Sequence, residues 1–222
     1  MKIRIALDCP AGAGKSTIAK MVAKKLSIVY VDTGAMYRAL GLYFSRQGIP
    51  GSDQAAVEAA CKDALVSIAF QEGAQQVLLN GENVTPYIRT EEAGKMASQT
   101  SSYPGVRAHL LQLQRDLAEK QSVIMDGRDI GTTVLPNAEL KVFLTADLKI
   151  RAQRRFLELT EKHVSCTIAE VESDMAARDH QDMTRAISPL RKAEDAIEVD
   201  SSYMTIEEVA DRIVELANEA VH

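Results

Sequence analysis

Cysteine is scarce: Cys9, Cys61 and Cys166 are all that the 222 residues contain. They are far apart, odd in number and form no C-x-x-C. The histidines His109, His163, His180 and His222 complete no four-ligand set with them. That pattern excludes a disulfide framework and a structural zinc site and points to a reducing cytoplasm. No apolar run approaches the roughly 18 residues that a bilayer span needs. Met1-Lys2-Ile3-Arg4 does not read as a signal peptide, because Asp8 interrupts the only apolar stretch that follows. An excess of basic charge is also missing. The chain has 26 Lys+Arg against 31 Asp+Glu, a formal net charge of -5. A sequence-independent nucleic-acid binder needs a dominant basic surface to displace counterions, so that activity is excluded as the main one. Neither nucleic acid nor membrane is an expected partner. There is no internal repeat, low-complexity tract or interdomain linker.

What is present is ordinary for a soluble globular protein: 46% hydrophobic and 26% charged residues. The length lies below the ~250–300 residues at which single cores stop growing, so one domain over residues 1–222 is expected. Lys2–Leu7 reads as a strand, Pro10–Gly14 as a Gly-rich turn, Ser16–Leu26 as a helix and Ile28–Val31 as a second strand. Strand, tight loop, helix and strand within about 30 residues form a βαβ unit, which requires a parallel sheet. Helices are expected at Thr33–Arg46, with Asp32 or Thr33 as cap, at Gln54–Ala64, Glu91–Thr100 and Val106–Lys120, and then at Asp147–Lys162, Thr167–Arg185 and Thr205–Ala220. Ser122–Met125, Lys141–Leu144 and Ala196–Val199 read as further strands. Leu65–Phe70, Gln75–Leu79 and a weaker Asn83–Ile88, separated by Glu72-Gly73 and Asn80-Gly81, break the βαβ rhythm and predict a small antiparallel insertion.

The loop Pro10-Ala11-Gly12-Ala13-Gly14-Lys15-Ser16-Thr17 lies between a strand and a helix. Small residues let several backbone N–H groups converge on a phosphate, and the helix adds its amino-terminal partial charge. Lys15 is expected to reach the β- and γ-phosphates of a nucleotide, and Ser16 to offer its hydroxyl to Mg²⁺. One position departs from G-x-x-x-x-G-K-[ST]: Cys9 stands where the first glycine is expected. A side chain there strains the turn if its φ must be positive.

Two segments follow buried-type strands at the end where open parallel sheets bind ligands. They are Asp32-Thr33-Gly34-Ala35-Met36-Tyr37-Arg38 and Asp126-Gly127-Arg128-Asp129. A helix cap with a surface ion pair is the structural alternative for both. Arginine is concentrated late: Arg151, Arg154, Arg155, Arg178, Arg185 and Arg191 lie between Lys149 and Lys192. Phosphoryl transfer needs such groups, because arginine forks bind the charged oxygens bidentately. A solvated face of Glu/Arg pairs accounts for any single one of them but poorly for the whole group.

With these motifs the chain resembles bacterial-type cytidylate kinases, which are nucleoside monophosphate kinases. The resemblance runs over essentially the whole length. It rests on A-G-A-G-K-S-T, D-T-G-A-M-Y-R, I-R-T-E-E at 88–92, A-S-Q at 97–99 with Arg107, D-G-R-D-I-G-T, and R-D-x-x-D-x-x-R from Arg178 to Arg185 followed by Ser188-Pro189-Leu190. The antiparallel insertion also fits.

The resemblance implies an α/β P-loop fold that transfers the γ-phosphate of ATP to CMP or dCMP with Mg²⁺. It implies that Ala11 through Thr17 and Arg151 bind ATP, and that Lys15, Arg128, Arg185, Arg154 and Arg155 act in the transfer. Ser98, Arg107 and Asp129 would read cytosine, and Asp182, aided by Arg178, would hold the sugar hydroxyls. Arg38, Arg128 and Arg185 would grip the acceptor phosphate, with Thr33 and Tyr37 lining the pocket. Thr33 stands where serine is common. The chemistry is consistent: a carboxylate accepts from cytosine N4, whereas uracil presents O4 there and N3–H toward Arg107. Such a mismatch is worth factors of about 10⁴–10⁵. The implied parts are a core of residues 1–32, 103–147 and 188–222, a monophosphate-binding region of 33–102, a lid of 148–166, and a helix of 167–187 that supplies acceptor-site residues. A monomer is the default. A broader UMP/CMP or other small-molecule P-loop kinase remains the near alternative, and a nucleotide-dependent switch the distant one, for which no guanine-reading N-K-x-D is found.

Overall fold

The computed structural model describes residues 2–221. Along these residues the elements are β1 (Arg4–Asp8), α1 (Lys15–Leu26), β2 (Val29–Asp32), α2 (Thr33–Arg46), α3 (Gln54–Cys61), β3 (Val66–Gln71), β4 (Ala74–Leu79), β5 (Glu82–Asn83), α4 (Glu91–Thr100) and α5 (Pro104–Lys120). There follow β6 (Val123–Gly127), a π-helical turn at Ile130–Val134, β7 (Leu140–Thr145), α6 (Leu148–Glu161), α7 (Ile168–Thr184), β8 (Ile197–Asp200) and α8 (Ile206–Val221). One sheet has the order β2-β6-β1-β7-β8 and another the order β3-β4-β5. The pairings β1–β7 and β7–β8 are parallel, with Ile5 opposite Leu140 and Val142 opposite Ile197. The α/β class with a parallel core and an antiparallel insertion is therefore as the sequence implies.

The chain divides into two units, one running through Ile28 and resuming at Ile124, the other running from Val29 to Val123. In the first, Ile5 to Asp8 of β1 are buried without interruption, the signature of a strand covered on both faces. Ile5, Leu7, Ile124, Met125, Leu144 and Ile213 are among its fully buried side chains. The closing helix α8 turns Val209, Ala210, Ile213, Leu216 and Ala217 inward at helical spacing. Helices α6 and α7 form a hairpin around Ala152, Val171 and Met175, against which Leu148, Phe156, Leu159 and Cys166 pack. A capping box starts α7: Thr167 Oγ1 accepts from Glu170 N, and Glu170 accepts from Thr167 N at 2.7 Å.

In the second unit Met36, Leu40 and Phe44 of α2 are fully buried, as are Ile88 and Leu110. Strands β3 and β4 pair antiparallel from Val66 opposite Leu79 to Gln71 opposite Ala74. The third expected strand, Asn83–Ile88, is reduced to Glu82–Asn83. Pro86 has no N–H to give a ladder, and the chain turns instead, with Tyr87 N and Ile88 N both donating to Val84 O.

Candidate active site

The phosphate loop takes its shape from two glycines. Gly12 has φ 72° and Gly14 φ 79°, the left-handed region that side chains avoid. Gly14 is the N-cap of α1, so Lys15 opens the helix and the free amides of its first turn face the loop. Cys9 is not among the non-glycine residues of positive φ. It is fully buried, and its thiol is pushed up by that burial, so it packs as a small apolar group. The condition under which it would strain the turn is not met.

Strand ends supply the acids. Ser16 Oγ donates to Asp126 Oδ2 at 2.8 Å, and Asp126, near the end of β6, is itself buried. Asp126 was in view in the sequence only as the start of D-G-R-D. The signal that marks it is its position as the first charged residue after the buried run Val123-Ile124-Met125. A hydroxyl beside a carboxylate is an oxygen set suited to Mg²⁺, which takes one or two protein ligands and keeps waters and phosphate oxygens. No group of three His, Cys, Asp or Glu able to hold a metal occurs among the described residues.

Asp8 ends β1, 5% exposed, and its two oxygens accept from Ile130 N at 2.7 Å and Gly131 N at 2.8 Å. Burial raises its pKa to about 7 despite the two amide bonds, with Asp129 adding to the rise and Arg128 opposing it. These bonds fix the π-helical turn directly after Arg128 and Asp129. Both of those residues are paired in turn. Arg128 Nε donates to Asp182 Oδ2 at 2.6 Å, and Arg185 NH2 to Asp129 Oδ1 at 3.4 Å, while Arg185 Nε donates to Ser188 O at 2.8 Å. Burial pulls the Arg128 guanidinium down, but Asp182 together with Cys9 and Asp126 more than offsets it, so Arg128 stands above the ordinary arginine value. Two acceptor-phosphate candidates thus each hold a carboxylate from the expected sugar or base set. Arg178, one residue before the buried Asp179, is exposed.

The three arginines of α6 are placed differently. Arg151 is buried, donating from Nε to Ala146 O at 2.9 Å and from NH1 to Ala11 O at 2.8 Å and Asp179 Oδ2 at 2.7 Å. It reaches the phosphate loop through the loop's own backbone. Arg154 NH2 donates to Ser201 O at 2.7 Å and Ser202 O at 3.3 Å. Arg155 pairs with Glu158 on an exposed helix face.

In the second unit Asp32 caps α2 by accepting from Ala35 N at 2.9 Å, and its other oxygen takes Arg89 NH2 at 2.5 Å. The Gln75 side chain bonds the Asp32 backbone at both its N–H and its C=O. The cap-plus-ion-pair alternative therefore describes Asp32. It also sets the start of α2, which carries the buried Thr33 and the half-buried Tyr37 and Arg38. Arg107 of α5 lies 5.7 Å over the Tyr37 ring and donates to Ser101 O at 3.1 Å. Ser98 lies on α4, whose Ala93 and Ala97 are buried. This unit thus joins Tyr37 and Arg107, two of the expected acceptor residues.

Comparison with known proteins gives the lineage. The profile of the family described as "Cytidylate kinase" matches residues 5–219. A cytidylate kinase of Caldicellulosiruptor saccharolyticus is 49% identical over 97% of this chain and 95% of its own length. One of Geobacillus sp. is 46% identical over 99% of this chain and 98% of its own. Among solved structures, an uncharacterized protein from Eubacterium ventriosum shares the fold at 13% identity with a TM-score of 0.53, over 99% of both chains. No helix among the described residues is long and apolar enough to cross a membrane. With a family match that runs from β1 into α8, the chain belongs to the cytidylate kinase family.

Proposed function

We propose that the enzyme transfers the γ-phosphate of ATP to CMP, and also to dCMP, giving the diphosphate and ADP. The observation that carries this reading is the phosphate loop with Lys15 at a helix start and Ser16 bonded to Asp126, within a chain matched to cytidylate kinases over residues 5–219. The loop amides and Lys15 hold the β- and γ-phosphates. Ser16 and Asp126 would hold Mg²⁺, which supplies charge neutralisation of the donor phosphates. No general base is needed, because an acceptor phosphate oxygen is already an anionic nucleophile. The transfer then depends on positioning and on arginines that stabilise charge on the equatorial oxygens.

On the acceptor side, Arg38, Arg128 and Arg185 bind the phosphate of CMP, with Thr33 and Tyr37 beside it. Arg178 and Asp182 hold the sugar, and Ser98, Arg107 and Asp129 read the base. The pairing of Arg128 with Asp182 and of Arg185 with Asp129 supports this, since it orients the guanidiniums before a phosphate arrives. Residues 33–102 form the monophosphate-binding region and 148–166 the lid on a core of 1–32, 103–147 and 188–222. Arg154 and Arg155 turn from their present partners toward ATP when the lid closes, which excludes water and suppresses hydrolysis. The unbridged cysteines suit a reducing cytoplasm.

The test is ADP formation from ATP with CMP, dCMP, UMP, AMP or GMP as acceptor, with and without Mg²⁺. CMP and dCMP are expected to be turned over well and UMP poorly. Equal turnover of UMP would favour the broader UMP/CMP kinase, and ATP turnover independent of any acceptor would overturn the kinase reading.

A further inference from the structure

We propose that the buried pair Arg151–Asp179 is a positioning device for the phosphate loop. It holds the Ala11 peptide from both sides, so that the amides that follow are aimed at the phosphates of the donor nucleotide. This deepens the kinase reading and rests on it.

The geometry is closed and local. Asp179 Oδ1 accepts from Ala11 N at 3.0 Å, and Asp179 Oδ2 takes Arg151 NH1 at 2.7 Å. The same NH1 donates to Ala11 O at 2.8 Å. One residue of the loop therefore has its N–H and its C=O bound by the two members of one ion pair. Arg151 Nε is fixed on Ala146 O at 2.9 Å, so the guanidinium plane cannot turn away. Both side chains are nearly sealed from water, 7% and 11% exposed, where an ion pair is stiff and costly to break. The next residue is Gly12, at φ 72°. Met175, one turn before Asp179 on α7, lies where a Cβ on Gly12 would be, so the helix closes on the loop directly. Three contacts from α6 and α7 thus converge on two loop residues.

Neither member of the pair serves a need of its own helix. Arg151 stands in the first turn of α6, whose N-cap Asp147 already accepts from Lys149 N and Ile150 N. Asp179 lies mid-helix in α7, where burial of an acid is otherwise unfavourable. A pair kept only for stability is commonly replaceable by apolar side chains at little or no loss. This pair instead gives what apolar side chains cannot, two directed hydrogen bonds to a backbone that is in a left-handed turn one residue later. It also defines which end of the α6–α7 hairpin is fixed: the Arg151 end is tied to the loop, and the part of the lid from Arg154 to residue 166 is left to move over ATP.

The role is one of positioning, because both residues act through Ala11. The test separates it from stability. Three variants are compared with the wild type, Asp179→Asn, Arg151→Met and the double Arg151→Met/Asp179→Leu, each measured for thermal unfolding, for KM and kcat with ATP and CMP varied in turn, and for direct ADP binding by calorimetry. Lys15→Ala serves as the benchmark for the kinase reading. Misplacement of the loop predicts a loss of about 10–100-fold in kcat/KM for ATP and weaker ADP binding, with KM for CMP within about twofold of wild type. It also predicts that the double variant recovers the unfolding temperature and not the ATP parameters. Recovery of both by the double variant would reduce the pair to a packing element and overturn the proposal, as would wild-type ATP parameters in Asp179→Asn. If Lys15→Ala itself stays active, it is the phosphate-loop reading that fails.

Discussion

Replacing Asp8 by asparagine removes one titration from the middle of the first unit. Asp8 is buried at the end of β1 and titrates near 7 in the folded enzyme, against 3.8 for an ordinary aspartate, chiefly because burial penalises its charged form. Below pH ~4 the group is protonated in the folded and the unfolded chain alike and contributes no pH dependence. Between about 4 and 7 the unfolded chain has released the proton and the folded one has kept it. The folded state therefore binds more protons, and stability falls as pH rises. Above about 7 both forms are ionised and the loss stays constant. A separation of about 3 pKa units at ~1.36 kcal/mol each makes that loss about 4 kcal/mol. Asparagine carries no such dependence. It keeps one acceptor for the two amides of Ile130 and Gly131, and leaving the other amide unbonded costs about 1–3 kcal/mol at every pH. Urea unfolding of both proteins at half-unit steps from pH 4 to 8 reads the difference directly. The stability of the wild type relative to Asp8→Asn should fall by about 4 kcal/mol from pH 4 to just above 7, turning an advantage into a deficit, and then level off. A difference that stays flat within ~0.5 kcal/mol across that range would refute the argument that burial, rather than the two amide bonds, governs this carboxyl.

Three further outcomes follow from the site. Gly12→Ala puts a Cβ where Met175 packs and forces an L-residue to φ 72°; about 2–4 kcal/mol of strain and overpacking should lower the unfolding temperature by roughly 5–15 °C in differential scanning calorimetry. Met175→Ala added to it should recover only the steric part. Cys9→Gly, which restores the usual phosphate-loop residue, should leave kcat for CMP unchanged and lower the unfolding temperature by about 2–4 °C, because Cys9 needs no positive φ and its buried side chain would be lost. Asp129→Ala should narrow the CMP-over-UMP preference in kcat/KM by a hundredfold or more while KM for ATP stays near wild type.

Most of the core was legible because local pattern and global fold agree in it. Ser122-Val123-Ile124-Met125 is apolar on both faces and can only be an inner strand. Thr33–Arg46 carries its own cap signal in Asp32 and its own stop in Gly48, and the helix has those bounds. The weak third strand failed for an equally local reason. Asn83–Ile88 contains Pro86, whose missing N–H counts for more than the β-branched Val84, Thr85 and Ile88, and the chain turns after Asn83. The bend of the loop before Lys15 and Ser16 was legible because glycine spacing encodes backbone shape directly, and Gly12 and Gly14 take left-handed φ there.

The partners of charged side chains were not legible, and the obstacle is physical. A sequence shows that Arg151, Arg154 and Arg155 share a helix; it does not show that the first turns inward onto Ala11, the second onto the Ser201 carbonyl and the third onto Glu158. These choices are set by elements 140, 47 and 3 residues away, and only the last separation is one that helix geometry alone resolves. Asp179 makes the point more sharply. In R-D-x-x-D-x-x-R it looks like a spacer between Arg178 and Asp182, yet it is the buried one of the three, 168 residues from the amide it binds, while Arg178 is exposed. Helical spacing explains the inversion: Asp179 follows the buried Val171 and Met175 at intervals of eight and four residues, so it continues the apolar stripe of α7 onto the loop. An acid that extends a buried apolar stripe must find a cation and donors or not be tolerated there. That rule, applied to the sequence, would have singled out Asp179 before any partner was known.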